Sequence, residues 1–385
     1  MASFSSLIQQ VERRKPVAQG GRFLLLFALT LLMLGSANAY ESGLNRANRV
    51  IPVPTTVSPE IQTIIAAGPP PFWDDHPKTR AEWKRWVGRL ADATDKRLAD
   101  LILKMGVTVQ PEKIAGVNVF KVLPNIVSER NENRLFLNLH GGGYVLNPGR
   151  AGLYEAILMA GFVHARVLAI DYRMPPDHPY PAALDDAVAV YKEVIKGTDP
   201  NRIAVFGDSA GGALTLALVL RAKAEGLPVP GAIAPGTPWS DLTETGDTYF
   251  TNRGIDNVLV SYSGWLGDAA TLYANGHDPK DPMLSPVYGD FHGFPPAILT
   301  TGSRDLFLSN TLRVHRKMRD SGVTAVSDRF RRLVSLSVSP FSRCTGDQGA
   351  LCGSERVLRQ VSASLTILQA YLTGSGSPTG PNPTR

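Results

Sequence analysis

From about residue 116 onward, short apolar runs alternate with stretches long enough to be helices. The runs cover residues 117–123, 135–139, 167–171, 203–206, 231–234 and 297–301, and most are apolar at odd and even positions alike. A strand of that kind is buried on both faces, as in a parallel sheet layered between helices. The pattern therefore predicts an α/β fold with a mostly parallel central sheet and helices on both faces. Ahead of this region, Trp83, Trp86, Val87, Leu90, Leu98, Leu101 and Ile102 recur at helical spacing and predict one long helix over residues 79–105. Residues 40–78, with Pro69-Pro70-Pro71 and Pro77, read as a loop-rich entry segment. Residues 238–286 are polar and irregular, an excursion long enough to cover one edge of the sheet.

Composition supports a packed chain: 43% of the 385 residues are hydrophobic, too many for a disordered polymer. The formal charge of +6 invites a nucleic-acid or anionic-membrane partner, so its location matters. It sits at the ends. Arg13, Arg14, Lys15 and Arg22 against Glu12 give +3 before residue 40, and seven Arg against three acids give +4 in residues 326–385. The middle is nearly neutral, so nucleic acid is not an expected partner.

The N-terminal basic cluster precedes an apolar run, residues 23–34, and then Gly35-Ser36-Ala37-Asn38-Ala39, the order of a secretory signal peptide cleaved after Ala39. The alternative is an N-terminal membrane anchor, but a helix of that run spans only ~18 Å against a hydrocarbon core of ~30 Å. The expectation is an exported protein, periplasmic or secreted, with no stable membrane insertion once residues 1–39 are removed. Its only cysteines, Cys344 and Cys352, lie near the C-terminus, so the main domain has to rest on its core and not on disulfides.

The strongest chemical signal is Gly207-Asp208-Ser209-Ala210-Gly211-Gly212, an apolar strand before it and a helical apolar run after it. A strand that turns straight into a helix through G-x-S-x-G offers its serine hydroxyl as a nucleophile at the helix N-terminus. Upstream, the strand 135–139 ends in His140-Gly141-Gly142-Gly143-Tyr144, whose glycines can present bare N–H groups. Gly142, Gly143 and Ala210 are candidates for an oxyanion hole, and His140 for a structural support of that turn. Neither glycine loop carries a phosphate-binding motif, and no metal or cofactor is expected. The strand 297–301 ends at Gly302 and is followed by Asp305, in the chain order that places an acid after the nucleophile.

HGGGY, GDSAGG, the segment from Asp171-Tyr172-Arg173 to Asp185-Asp186, and Pro238-Trp239-Ser240-Asp241-Leu242 together resemble the hormone-sensitive-lipase-like (bacterial family IV) esterases of the α/β-hydrolase superfamily. The resemblance covers about residues 55–325. It implies a cofactor-free serine ester hydrolase with a small-molecule ester substrate, nucleophile Ser209, acid Asp305 and an oxyanion hole of Gly142, Gly143 and Ala210. It also implies a cap over an acyl pocket, built from N-terminal helices in residues 40–115 and an insertion at about 240–285 of a core spanning 116–325. Lactones and amides use the same machinery.

One part departs from that family. No histidine follows Asp305 at the usual distance: the seven are His76, His140, His164, His178, His277, His292 and His315. His315 falls in a predicted helix and His178 in a proline-flanked loop, and both are poor substitutes for a general base. Residues 326–385 hold ten Ser, seven Arg and no Lys or His, and are expected to lack the final strand and helix and to be disordered. Their composition is that of a wrong reading frame. Shifted by one base from Asp328, the overlapping codons permit Ile-Val-Phe-Glu-Gly-Leu-Ser-His-Ser-Gln-Tyr, a strand followed by a histidine loop. A second expectation follows, that the chain is a catalytically impaired, ligand-binding member of the fold.

Overall fold

The computed structural model describes residues 51–330, apart from 58 and 68. The expected signal peptide, both cysteines and the frame reading beyond residue 330 lie outside the described residues. The entry segment forms α1, Pro59–Ala66, and then α2, Arg80–Met105. A capping box starts α2: Glu82 N–H donates to Thr79 Oγ1, and Glu82 Oε2 accepts from Thr79 N–H. Gly106, in the left-handed region at φ 59°, ends it.

The remaining elements in chain order are β1 (Val107–Ile114), β2 (Val117–Pro124), β3 (Leu135–Leu139), α3 (Tyr154–Val163), β4 (Arg166–Ile170), α4 (Ala182–Val194) and β5 (Ile203–Asp208). They continue with α5 (Ala210–Ala224), β6 (Ala232–Gly236), α6 (Thr248–Thr251), α7 (Trp265–Ala274), β7 (Ala297–Gly302), α8 (Leu308–Asp320) and β8 (Ala325–Phe330). All eight strands form one sheet in the order β1-β2-β4-β3-β5-β6-β7-β8. β2 runs antiparallel to β1 and β4, and every other pairing is parallel.

Alternation along the strands divides the core between the two faces. Leu137, Leu139, Val205 and Leu299 pack with buried residues of α4, α5 and α8. Phe136, Val167, Phe206 and Ile298 pack with Leu98 and Leu101 of α2 and with Ile157 and Met159 of α3.

Two expected boundaries shift. The sheet begins at Val107, because β1 is an edge strand whose polar positions and Pro111 hide its periodicity, and an edge tolerates a proline. The final strand, expected to be missing from residue 326 on, is present as β8. It lies parallel to β7 in a register that runs from Ala297↔Ala325 to Gly302↔Phe330.

Candidate active site

β5 runs directly into α5, and the joint is Ser209. Its backbone sits at φ 55°, ψ −121°, which L-residues avoid unless neighbours hold them there. Its N–H donates to Gly236 O and its C=O accepts from Trp239 N–H, both at 2.9 Å. The flanking glycines are required by space. A Cβ at Gly207 or Gly211 would overlap the carbonyl oxygen of Leu139 at the end of β3.

The glycine turn after β3 lies against this elbow: a Cβ on Gly141 would stand 2.7 Å from Asp208 Oδ1 and 3.4 Å from Ser209 Cβ. Gly142 and Gly143 take φ 127° and 60°, open to glycine at little cost, and Gly142 O accepts from the N–H groups of Val145 and Leu146 to close the turn. Among the described residues, the N–H groups of Gly142, Gly143 and Ala210 donate to no protein acceptor.

Residues of the Asp171–Asp186 segment support the turn from below. Tyr172 stacks on the buried His140 ring at 4.3 Å, and its hydroxyl donates to His140 O at 2.6 Å. His140 Nδ1 donates to Gly141 O at 2.8 Å, and burial holds the imidazole below its ordinary pKa. Asp171 Oδ1 accepts from Gly149 N–H at 2.8 Å, while Arg173 clasps the buried Asp186 through Nε and Nη2. His140 is therefore a strut of the turn.

Asp305 is fully buried three residues beyond β7. Its Oδ1 accepts from Phe307 N–H at 2.7 Å, and its Oδ2 accepts from Thr301 Oγ1 at 2.8 Å and from Thr237 Oγ1. Burial pushes this carboxyl up, and those donors oppose the shift. Thr237 belongs to the loop, residues 236–239, that also holds the Ser209 backbone. Because β6 alone separates β5 from β7, the strands leading to Ser209 and Asp305 lie about 10 Å apart, a gap that one imidazole ring spans between hydroxyl and carboxylate.

The segment between β6 and β7 grips the acid loop. Asn252 Nδ2 donates to Asp305 O at 2.8 Å, and Asp256 Oδ2 accepts from Leu306 N–H at 2.9 Å. Asp256 Oδ1 takes the N–H groups of Val258 and Leu259. Burial, with the neighbouring Asp305 charge, pushes the Asp256 carboxyl up to about 7. Across the site, Trp265 lies over the glycine turn, where a Cβ on Gly143 would come within 2.8 Å of its ring. Trp73 and Trp86 of the entry segment pack on the same indole at 5.7 and 5.6 Å, so entry segment and insertion meet above the oxyanion turn.

All seven histidines are described, and none hydrogen-bonds Ser209 or Asp305. His76 and His292 meet surface aspartates, His277 packs on Tyr180, and His315 Nε2 donates to Ala325 O at 3.2 Å. His164 ends α3 in the left-handed region, and His178 is exposed. Sequence reasoning singled out Ser209, Asp305 and the glycine turn, and the structure brings them to one edge of the sheet. It passed over Thr237, Asn252, Asp256 and Trp265, which lie in polar or irregular chain without periodicity. Among the described residues, no group of three or more His, Cys, Asp or Glu could hold a metal ion, and no helix is long and apolar enough to cross a membrane.

A parallel sheet carrying a strained serine elbow at the carboxyl end of its fifth strand defines an α/β-hydrolase. The family described as alpha/beta hydrolase fold matches residues 136–334. An acetyl-hydrolase of Streptomyces hygroscopicus is 35% identical over 178 residues, 46% of this chain and 59% of that protein. An esterase of Acinetobacter venetianus is 30% identical over 220 residues, 56% of this chain and 70% of its own. Among solved structures, esterase E25 superposes with a TM-score of 0.77 at 38% identity, covering 86% of this chain and 98% of that one. An esterase from the bacterial hormone-sensitive lipase family gives a TM-score of 0.65 at 26% identity, covering 83% and 100%. The chain belongs to the alpha/beta hydrolase fold family, in its hormone-sensitive-lipase-like branch.

Proposed function

We propose that the protein is a serine carboxylic-ester hydrolase. The observation that carries this reading is Ser209 held at φ 55° against a glycine turn whose N–H groups have no protein acceptor. The Ser209 hydroxyl attacks the ester carbonyl. The negative oxygen of the tetrahedral intermediate accepts from Gly142, Gly143 and Ala210 N–H, the alcohol leaves, and water then releases the acyl group. Asp305, fixed by Thr237, Thr301 and Phe307, is the acid that orients and stabilises an imidazolium formed between itself and Ser209.

No histidine of this sequence stands there, so the chain as given turns over slowly, on oxyanion stabilisation and binding. The names of its relatives, acetyl-hydrolase and esterase, support small esters with short acyl groups as substrates. Export through the basic and apolar N-terminal segment is part of the same proposal, as is a cap formed by the entry segment and the insertion.

The test uses the full chain and its Ser209→Ala variant, a fluorophosphonate probe, and p-nitrophenyl acetate with and without added imidazole. Labelling and imidazole-stimulated turnover that both disappear in Ser209→Ala support the reading. Turnover equal in the two proteins overturns it. The placement of every histidine away from Ser209 favours a second reading, a ligand-binding chain on a hydrolase fold. Saturable binding of an ester that is never cleaved, with no labelling, would select that reading.

A further inference from the structure

Helix α3 is apolar on every side except for Glu155 in its first turn. That side chain does not face solvent freely; it reaches between the two loops that build the active site. Its Oε1 accepts from Gly141 N–H at 2.9 Å. Its Oε2 accepts from Asp208 N–H at 3.2 Å and from Asn138 Nδ2 at 3.1 Å. We infer that Glu155 is a positioning residue for the oxyanion turn, its carboxyl bridging Gly141 to Asp208 and setting the distance between the glycine turn and the serine elbow. The inference rests on the ester-hydrolase reading of that site.

The sheet leaves this distance unfixed. β3 and β5 are paired from Leu135↔Ile203 to Asn138↔Phe206, and the ladder stops there. Past that point one chain turns into the glycines and the other into the elbow, with no mutual backbone hydrogen bond between Gly141 and Asp208. Both anchored N–H groups sit one residue ahead of the functional ones: Gly141 precedes Gly142 and Gly143, and Asp208 precedes Ser209 and Ala210. An oxyanion donor works over a range of only a few tenths of an ångström, about 2.7–3.1 Å, so a slack junction costs rate before it costs fold.

Burial and then the nearby Asp208 charge push the Glu155 carboxyl well above the usual carboxylate range. It thus carries a proton, and its O–H donates to the Asp208 side chain. The same clasp accepts both backbone N–H groups and neutralises a pair of carboxyls that would otherwise repel across the junction.

The test compares the full chain with Glu155→Gln and Glu155→Ala by amide hydrogen exchange and by Ser209-dependent hydrolysis of p-nitrophenyl acetate in added imidazole. In Glu155→Ala, exchange should rise about tenfold in residues 140–147 and 207–213 and stay unchanged elsewhere. In the same variant kcat should fall roughly 10- to 100-fold with KM within about twofold. Glu155→Gln keeps an oxygen for Gly141 and offers an N–H to Asp208, so it should restore most of both. Exchange that is unchanged, or raised uniformly over the sheet, overturns the inference, as does a Gln variant no better than Ala. Turnover insensitive to Ser209→Ala strikes the ester-hydrolase reading alone, and the exchange arm still decides the role of Glu155.

Discussion

Replacing Asp256 by Asn should change how stability depends on pH, with a sign fixed by the burial of that carboxyl. In the unfolded chain Asp256 ionises near its ordinary value of 3.8, and in the folded protein near 7. Below about pH 4 both states hold the proton and the native state bears no penalty. Between about 4 and 7 the unfolded chain gives the proton up while the native one keeps it, so stability falls as pH rises. Above 7 the loss is complete. A difference of about three units at ~1.4 kcal/mol each makes the full span ~4 kcal/mol. Asn cannot titrate. It keeps a carbonyl for the Val258 and Leu259 N–H groups but turns an amide toward Leu306 N–H, which costs ~1 kcal/mol at every pH. Urea unfolding from pH 4.5 to 8 should therefore show the variant less stable at the acid end and more stable at the alkaline end. Stability curves that run parallel across the range would refute the reasoning, because Asp256 would then titrate alike in both states.

Gly211→Ala should lower stability by ~3 kcal/mol or leave the protein insoluble, since its Cβ would overlap Leu139 O, whereas Ala at the unobstructed Gly197 should be near neutral; urea midpoints compare the two. Asp241→Ala leaves the Arg313 guanidinium without its fully buried partner and should cost ~2–3 kcal/mol, and a loss below 0.5 kcal/mol would show that water solvates Arg313 well enough by itself. Asp305→Asn should abolish most imidazole-stimulated turnover without shifting the urea midpoint downward, read by paired kinetics and unfolding. A gene shifted by one base from the Asp328 codon, which restores a histidine loop after the last strand, should hydrolyse a short-chain aryl ester at least ~10³-fold faster than the chain as given. Equal rates from the two purified proteins would remove the frame argument.

The parallel strands and the long helix α2 were legible because burial on two faces and helical periodicity leave continuous or regularly spaced apolar residues. β1 was not: Gln110, Pro111, Glu112 and Lys113 occupy an edge, where only one side of the strand meets the core. Ser209 and the glycine turn could be read because close backbone approach to Leu139 admits no residue but glycine at Gly207 and Gly211, and that constraint writes itself into sequence. Asp256 left no such mark, since a carboxylate that caps three N–H groups in an irregular segment looks like any polar loop residue. Glu155 did leave one, a single charge on a helix otherwise apolar all round. The resemblance marked the Asp171–Asp186 and Pro238–Leu242 segments without giving their tasks, which are to brace the His140 turn and to join the Ser209 and Asp305 loops.

The register of β8 bears on how such a chain can change its trade. Because Phe330 aligns with Gly302, the polypeptide leaves the sheet at the same edge, and at the same height, as the loop that carries Asp305. Elbow, oxyanion turn and acid are all encoded upstream of that exit, and the eight-stranded scaffold is complete when it is reached. The proton acceptor is the one working part delivered afterwards. A slip of a single nucleotide past this point therefore acts as a switch in heredity: it unplugs the chemistry in one generation and leaves a folded receptor behind, and a compensating slip plugs it back in.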